Sequence, residues 1–529
     1  MEAAYIDYID THAFSGTLIR YLQRDKKLAG YYGNTPDWEG FAKQISEKKP
    51  LSNRNVLVRV LLSQYRQLMA QHPKVTENIS LLARENTFTI TTGHQLNIFT
   101  GPLYFIYKIA TSIKLSQELK QRFPEFNFVP IYWMATEDHD FEEINHTTIG
   151  GKTITWDAPR KAGTGRMPTD SITEAVREYQ NILGLSENSA QLADLVAQAY
   201  LDHATLADAT RYLVNSLFST YGLVIVDADH PELKKQFAPI IKKDILERNS
   251  YREITKTTSQ LQNDGFGTQV HAREINFFYL TDQFRERIVQ REDGQFEVLN
   301  QGISFSKEAL VTEIDEHPER FSPNVVMRPL YEEVVLPNLA YIGGGAEIVY
   351  WLQLKSNFDH YGIAYPILVP RNSALLADEK SVHKIFRLDL SIQSLFQENH
   401  LLKNEYIRRH TKYDLTLDDE WMGFRSIFEK IKLRAHKIDP TLAPSAEAVM
   451  SRMQKAIKNL EKKLIKADAK NHQDALQQID HLKAALFPGG KLQERTENFG
   501  LFYVKFGDVL IKELIRQFEP LDFKFTILY

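Results

Sequence analysis

Cysteine is absent from all 529 residues, which removes disulfides, thiolate nucleophiles and thiolate metal sites together. No excess of one charge exists either: 64 Lys and Arg stand against 68 Asp and Glu, a formal net charge of −4, so no global field recruits nucleic acid or acidic membrane. No nucleic-acid partner is expected. The opening MEAAYIDYIDTHAFSG carries acids and has no basic stretch ahead of an apolar core, so no secretory signal is expected and a soluble cytoplasmic protein is the simplest reading. Long unbroken apolar runs are also missing. The most hydrophobic window, from Val334 to Leu354, contains Pro337, three glycines and Glu347, breaks that a membrane span does not normally carry.

What is present is the composition of a folded chain, 43% hydrophobic and 25% charged, with a length that predicts about three domains or lobes. The stretch from Thr87 to His146 organises it. TFTIT reads as a strand, TGHQLNIFTG as a glycine-punctuated loop, and PLYFIYKIATSIKLSQELK as a helix opened by Pro102. FNFVPIYWMA is a second strand that runs straight into Glu137, Asp138, His139 and Asp140. A strand, a glycine loop and a helix start aim backbone N–H groups at one spot, and in a parallel sheet both loops line the crevice at the strands' carboxyl ends.

Residues 1 to about 85 read as a helical lead-in, through Trp38 to Glu47 and Asn53 to Gln71. Residues 86–376 alternate strand and helix, with Leu223 to Val226 and Tyr365 to Val369 as further strands and Pro231 opening a helix, which predicts an α/β doubly wound core. Insertions are expected near 150–217 and 265–320, the second with antiparallel strands in QVHAREINFFYL, RERIVQ and FEVL. From 377 to 490 apolar residues recur in steps of three and four, among them Phe424, Ile427, Ile431, Val449, Met453, Ile457, Leu460 and Leu464. That spacing predicts an α-helical antiparallel coiled-coil domain, broken at Pro440 and Pro444 and ended by Gly489 and Gly490. A narrow seam on a long arm needs a partner, which makes a homodimer the expectation. The segment 491–529 is expected to return to the core.

Four runs could carry chemistry, each with a structural alternative. Gly93, His94 and Gln95 could bond phosphate or sugar with Gly101 allowing close approach; alternatively Gly93 serves a turn and Thr100 caps the helix. Glu137, Asp138, His139 and Asp140 could hold an ammonium group, act as acid or base, or hold a metal, whereas a helix cap would occupy only one of the acids. No metal is expected, since no soft ligand is available. Arg328, Asn338, Tyr341, Gly343, Gly344 and Glu347 fall in one run whose glycine turn could cradle a second ligand group or allow a close helix approach. Arg371 follows the last strand and could meet a carboxylate or phosphate. Gln493, Glu494 and Arg495 end LFPGGKLQER, where the alternative is a helix C-cap at Gly489 and a polar surface.

The blocks TGHQLNIFTGPLYFIYKI, PIYWMATEDHDFEEINH, SPNVVMRPLYEEVVLPNLAYIGGGAEIVYWLQLK and LFPGGKLQER, in this order, resemble the BshC family of bacillithiol synthesis. The resemblance spans nearly the full chain. It implies a Rossmann-like core with connecting insertions, related to class I aminoacyl-tRNA synthetases, and a coiled-coil domain through which the family dimerises. It also implies a carbon–nitrogen bond-forming ligase (EC 6 class) joining L-cysteine to the glucosamine amine of glucosaminyl malate, with ATP as activator. On that footing Gly93, His94, Gln95, Thr100, Gly101 and Gln493 to Arg495 are candidates for the nucleotide. Asn145, Arg328, Asn338, Tyr341, Gly343, Gly344, Glu347 and Arg371 are candidates for substrate, and Glu137 or Asp140 for the base.

The loop Gly93, His94, Gln95 departs from the second glutamine that many relatives carry, so His94 stands as either catalytic or tolerated. Neither a HIGH nor a KMSKS stretch is present. Two alternatives remain open on the residues alone: a dimeric coiled-coil scaffold with a regulatory nucleotide site, and a nucleotidyltransferase acting on another substrate.

Overall fold

Runs of β-branched and aromatic residues bounded by glycine and proline become strands, and five of them pair in parallel. They are β1 (Thr87–His94), β2 (Asn127–Met134), β3 (Val224–Asp227), β4 (Asn338–Gly343) and β5 (Ile367–Pro370). Their order across the sheet is β5-β4-β1-β2-β3. The computed structural model describes residues 1–48, 53–66, 68, 72–159 and 162–529. It divides into two units, one formed by Met1–Ile9, Ala13–Leu375 and Lys491–Leu528, the other by Asp10–His12, Leu376–Gly490 and Tyr529.

The parallel sheet belongs to the first unit. Helix α1 (Tyr104–Arg122) links β1 to β2 and lays Leu115 and Leu119 on Phe88, Ile90, Phe128, Leu339, Ile342, Ile367 and Val369, with Phe41 of the helix Trp38–Glu47 in the same cluster. Each of these buried side chains contributes about 2 kcal/mol of apolar transfer energy, and in β1 the threonines between them are buried as well, Thr91 Oγ1 donating to Asn338 Oδ1 at 2.8 Å and Thr92 Oγ1 to Ile342 O at 2.8 Å. Helix α2 (Pro231–Glu247) follows β3 and opens as expected on Pro231, with His230 accepting from the Glu232 N–H. Helix α3 (Arg328–Val335) leads into β4, and α4 (Gly345–Trp351) leaves it. The hydrophobic window from Val334 is thus a helix end, a strand and a short helix. Among the described residues no helix is long and apolar enough to cross a membrane.

Two insertions leave the sheet. The first holds a hairpin, His146–Ile149 with Lys152–Thr155, and the helices Thr173–Leu183, Glu187–Leu201 and Leu206–Phe218. The second is an antiparallel sheet in the order Ile303–Phe305, Phe296–Val298, Arg285–Gln290, Phe277–Leu280, Phe321–Pro323. Its first strand begins only at Phe277. Residues 270–276, expected as strand, are irregular, because Asn276 Oδ1 takes the Arg273 N–H at 2.9 Å and turns the chain locally.

Other expectations also shift. The lead-in is not wholly helical: Ala3–Asp7 is a strand paired antiparallel with Lys524–Leu528, which pairs in turn with Ala374–Leu376. The helix expected over 53–71 forms as Arg54–Gln64, and positions 67 and 69–71 lie outside the described residues. Pro102 does not open α1, which starts two residues later. It makes a bridge with Asn498 instead.

In the second unit the long helices are Asp418–Ile438 and Ala443–Asp468. Pro440 lies in the short turn between them, but Pro444 sits in the first turn of the second helix, where its missing N–H costs nothing. A 3₁₀ turn at Ala469–His472 separates Asp468 from a further helix, Gln473–Leu486. Gly489 and Gly490 take φ of 62° and 73° after it. Phe424, Ile427 and Ile431 remain 40%, 54% and 43% exposed.

Candidate active site

Strand order reverses between β1 and β4, and in an open parallel sheet that reversal opens a crevice at the strands' carboxyl ends. A cavity of about 780 Å³ lies there. Gly93, His94 and Gln95 enter its wall from the end of β1, and Glu137, Asp138 and Asp140 from the end of β2. Arg328, Tyr341, Gly344 and Glu347 enter from the α3–β4–α4 run, joined by Arg371 and Arg495. Thr100, Gly101, His139, Asn145, Asn338, Gly343, Gln493 and Glu494 lie outside that lining.

His94 stacks on Phe105, with ring centroids 5.1 Å apart, and meets the edge of Tyr104 at 5.4 Å. Burial, reinforced by the charges of Lys108, Arg328 and Arg371, holds its pKa well below the ordinary histidine value, so the ring is neutral. Its Nε2 is buried with no partner among the described residues. A buried nitrogen left in that state is a feature that a bound ligand would satisfy. Beside it Lys108, 1% exposed, donates to Gly93 O at 2.8 Å and to Glu347 Oε1 at 2.5 Å, while Tyr341 Oη donates to Glu347 Oε2 at 3.0 Å.

The acid loop is differentiated. Glu137 accepts from the buried Lys234 ammonium, which also donates to Phe321 O at 2.9 Å. Asp138 Oδ2 takes Gln95 Nε2 at 2.8 Å, and its Oδ1 takes the N–H groups of His139 at 2.8 Å and Asp140 at 3.3 Å. Burial by itself would raise the Asp138 carboxyl, but His139, Arg285, Arg328 and Gln95 together pull it far below the usual range. His139 Nδ1 faces Arg285 Nη1 at 2.8 Å. A guanidinium only donates, so Nδ1 is the acceptor in this contact. Asp140 is different: its carboxylate caps no helix and has no hydrogen bond or ion pair among the described residues.

The residues outside the lining have structural work. Asn338 lies at the start of β4, the end of the strand away from the cavity, where it donates to Glu333 Oε1 at 2.6 Å and accepts from Thr91 Oγ1 at 2.8 Å. Thr100 does not cap α1. With Phe99 and Gly101 it forms a turn of positive φ whose Phe99 and Gly101 carbonyls accept from Asn498 Nδ2 at 2.7 and 2.8 Å. Glu494 accepts from Arg371 Nη2 at 2.7 Å and so holds it in the cavity wall. Asn145 Oδ1 faces His146 Nδ1 at 3.1 Å.

Comparison with known proteins agrees over the whole length. Residues 1–372 match the family described as bacillithiol biosynthesis BshC, N-terminal Rossmann-like domain, and residues 374–529 match its C-terminal coiled-coil domain. The chain belongs to the BshC family. Relatives named "Putative cysteine ligase BshC" include one from Flavobacterium johnsoniae, 44% identical with 100% of each chain covered. Another, from Christiangramia forsetii, is 42% identical over 100% of this chain and 99% of its own. Membership places this chain among the ligases, with a Rossmann-like domain followed by a coiled-coil domain.

Several cavity residues of this BshC family member were not singled out from the sequence: Tyr104, Lys108, Glu143, His271, Arg273, Arg285 and Tyr350. Lys108 carried a usable signal, a lone charge in the apolar run YFIYKIA. Arg285 carried none, since an arginine in an alternating strand is ordinary surface text.

Proposed function

We propose that this chain forms the amide bond between the carboxyl group of L-cysteine and the glucosamine amine of glucosaminyl malate, giving bacillithiol, with ATP as the substrate that activates the carboxyl. The cysteine carboxylate oxygen displaces pyrophosphate from the α-phosphorus of ATP, and the amine then attacks the carbonyl carbon of the mixed anhydride, so that a C–N bond forms as the C–O bond to AMP breaks. The amine proton passes to a base. Asp140 is the better base of the two acids considered, because Glu137 is engaged by Lys234 whereas the Asp140 carboxylate is unengaged in the cavity wall. That contrast is the observation that carries the reading, in a chain that matches the ligase family end to end.

Fit to a nucleotide is supported by the unpartnered His94 Nε2 and by Arg328 and Arg495 in the same wall. Arginine forks suit phosphate and carboxylate oxygens alike. Dimerisation through the coiled coil and a cytoplasmic location belong to the same proposal, the first supported by the exposed Phe424, Ile427 and Ile431. The test is mass spectrometry of the purified full chain with cysteine and glucosaminyl malate under reducing conditions. An amide that appears only when ATP is added supports the ligase. Absence of product from folded, dimeric protein moves the reading to a regulatory nucleotide site or to another acceptor.

A further inference from the structure

The run Gly163-Thr164-Gly165-Arg166 of the first insertion lies against the back of the acid loop. Thr164 N–H donates to Asp138 O at 2.6 Å and Gly165 N–H to Thr136 O at 2.8 Å. Glycine is what lets the two backbones meet: a Cβ on Gly165 would stand 2.5 Å from Thr136 Cβ, and one on Gly163 would stand 3.1 Å from Thr136 O. The acid loop is therefore held from outside the cavity by two donated bonds.

Arg166 anchors this strap to the rest of the unit. Its Nε and Nη2 donate to Asp229 Oδ2 and Oδ1 at 2.7 and 2.8 Å, in the segment after β3, and its Nη1 donates to Asp282 Oδ1 at 2.8 Å in the antiparallel sheet. The planar fork fits Asp229 in a way a lysine cannot. The Asp229 side chain is only 6% exposed, so Arg166 is also its counter-ion; Asp282 is 90% exposed, and that arm adds little. A second path leads back to the same loop, since Asp227 Oδ1 takes both the Asp229 N–H at 3.1 Å and Thr136 Oγ1 at 2.6 Å.

We propose that Arg166 is a positioning residue for the acid loop: by tying the insertion to Asp229 it holds Gly163–Gly165 against Thr136 and Asp138, and so fixes where the Asp140 carboxylate stands. The link from Asp138 to Asp140 is the N–H of Asp140 on Asp138 Oδ1. This rests on the reading of Asp140 as the base, and a misplacement of about 1 Å is enough to cost roughly a hundredfold in rate.

The test uses the full chain and two readouts, amide hydrogen exchange and turnover. In Arg166→Ala, exchange at the Thr164 and Gly165 amides should rise about tenfold or more. The kcat for amide formation should fall about tenfold or more while KM for cysteine stays within roughly threefold. Arg166→Lys keeps a counter-charge for Asp229 and serves if the alanine variant does not fold; it should show the same direction in both readouts, because the fork is lost. Wild-type exchange in either folded variant overturns the proposal, and so does wild-type kcat where the wild type is active. A wild type that makes no amide counts against the ligase reading and leaves exchange to decide the strap.

Discussion

The Lys108 ammonium stands 2.5 Å from Glu347 Oε1 and 2.8 Å from Gly93 O. It thereby joins the end of β1 to the start of α4 across the point where strand order reverses. Lys108 comes from α1, so three elements share one buried charge, and Tyr341 Oη adds a fourth by donating to the same carboxylate. Burial pulls the Lys108 pKa down while Glu347 pulls it up. Without the carboxylate the ammonium would be buried with no counter-charge.

Lys108→Met should therefore destabilise the chain by about 2–3 kcal/mol, because Glu347 loses its counter-ion and the Gly93 carbonyl its donor. The double variant Lys108→Met with Glu347→Gln should lose less than the two single losses added, since neither charge is then left alone. Urea unfolding of the four proteins measures both. Strict additivity would mean that the pair does not act as a unit.

The neutral His94 predicts a pH dependence with a definite sign. An unfolded histidine titrates near 6.5, whereas burial between Tyr104 and Phe105 holds the folded His94 well below that. Between the two values the unfolded chain binds a proton that the folded chain refuses, so this contribution is full above pH 6.5 and is lost as pH falls below it. From pH 7.5 to 5.0 the wild type should lose more stability than His94→Gln. Unfolding free energies of the two proteins across that range decide it. Parallel profiles would show that His94 titrates normally in the folded protein.

How much of this could be read from the chain depends on distance along it. The loops at Gly93 and Glu137 were legible because strand, turn and helix start follow one another locally, and that adjacency fixes the strand end that carries the loop. Asn338 was misplaced by the same habit of reading neighbours together. Five residues of strand at about 3.3 Å each put it roughly 16 Å from Gly343, at the other end of β4. The strand Ala3–Asp7 has its partner at Lys524–Leu528, and no local pattern identifies a strand whose ladder closes so far away. Lys234 and Arg285 reach the acid loop from other elements, and Arg166 reaches Asp229 from the first insertion, so their roles follow only from packing.

The two acids weighed as the base should separate cleanly by mutation, because their surroundings differ. Glu137→Gln removes the carboxylate partner of Lys234, a lysine with 0% side-chain exposure, and leaves its ammonium with the Phe321 carbonyl. That should cost about 3 kcal/mol of stability, so any activity loss in this variant is confounded by folding. Asp140 has no partner to strand, and Asp140→Asn should stay within about 0.5 kcal/mol of the wild type. Its kcat for amide formation should nevertheless fall about a hundredfold or more, with KM for cysteine little changed, as expected where a proton acceptor is lost and binding is kept. Thermal or urea unfolding run beside steady-state kinetics gives both numbers for each variant. If Asp140→Asn keeps its kcat while folded Glu137→Gln loses it, the proton goes to Glu137, and Lys234 must then release that carboxylate during turnover.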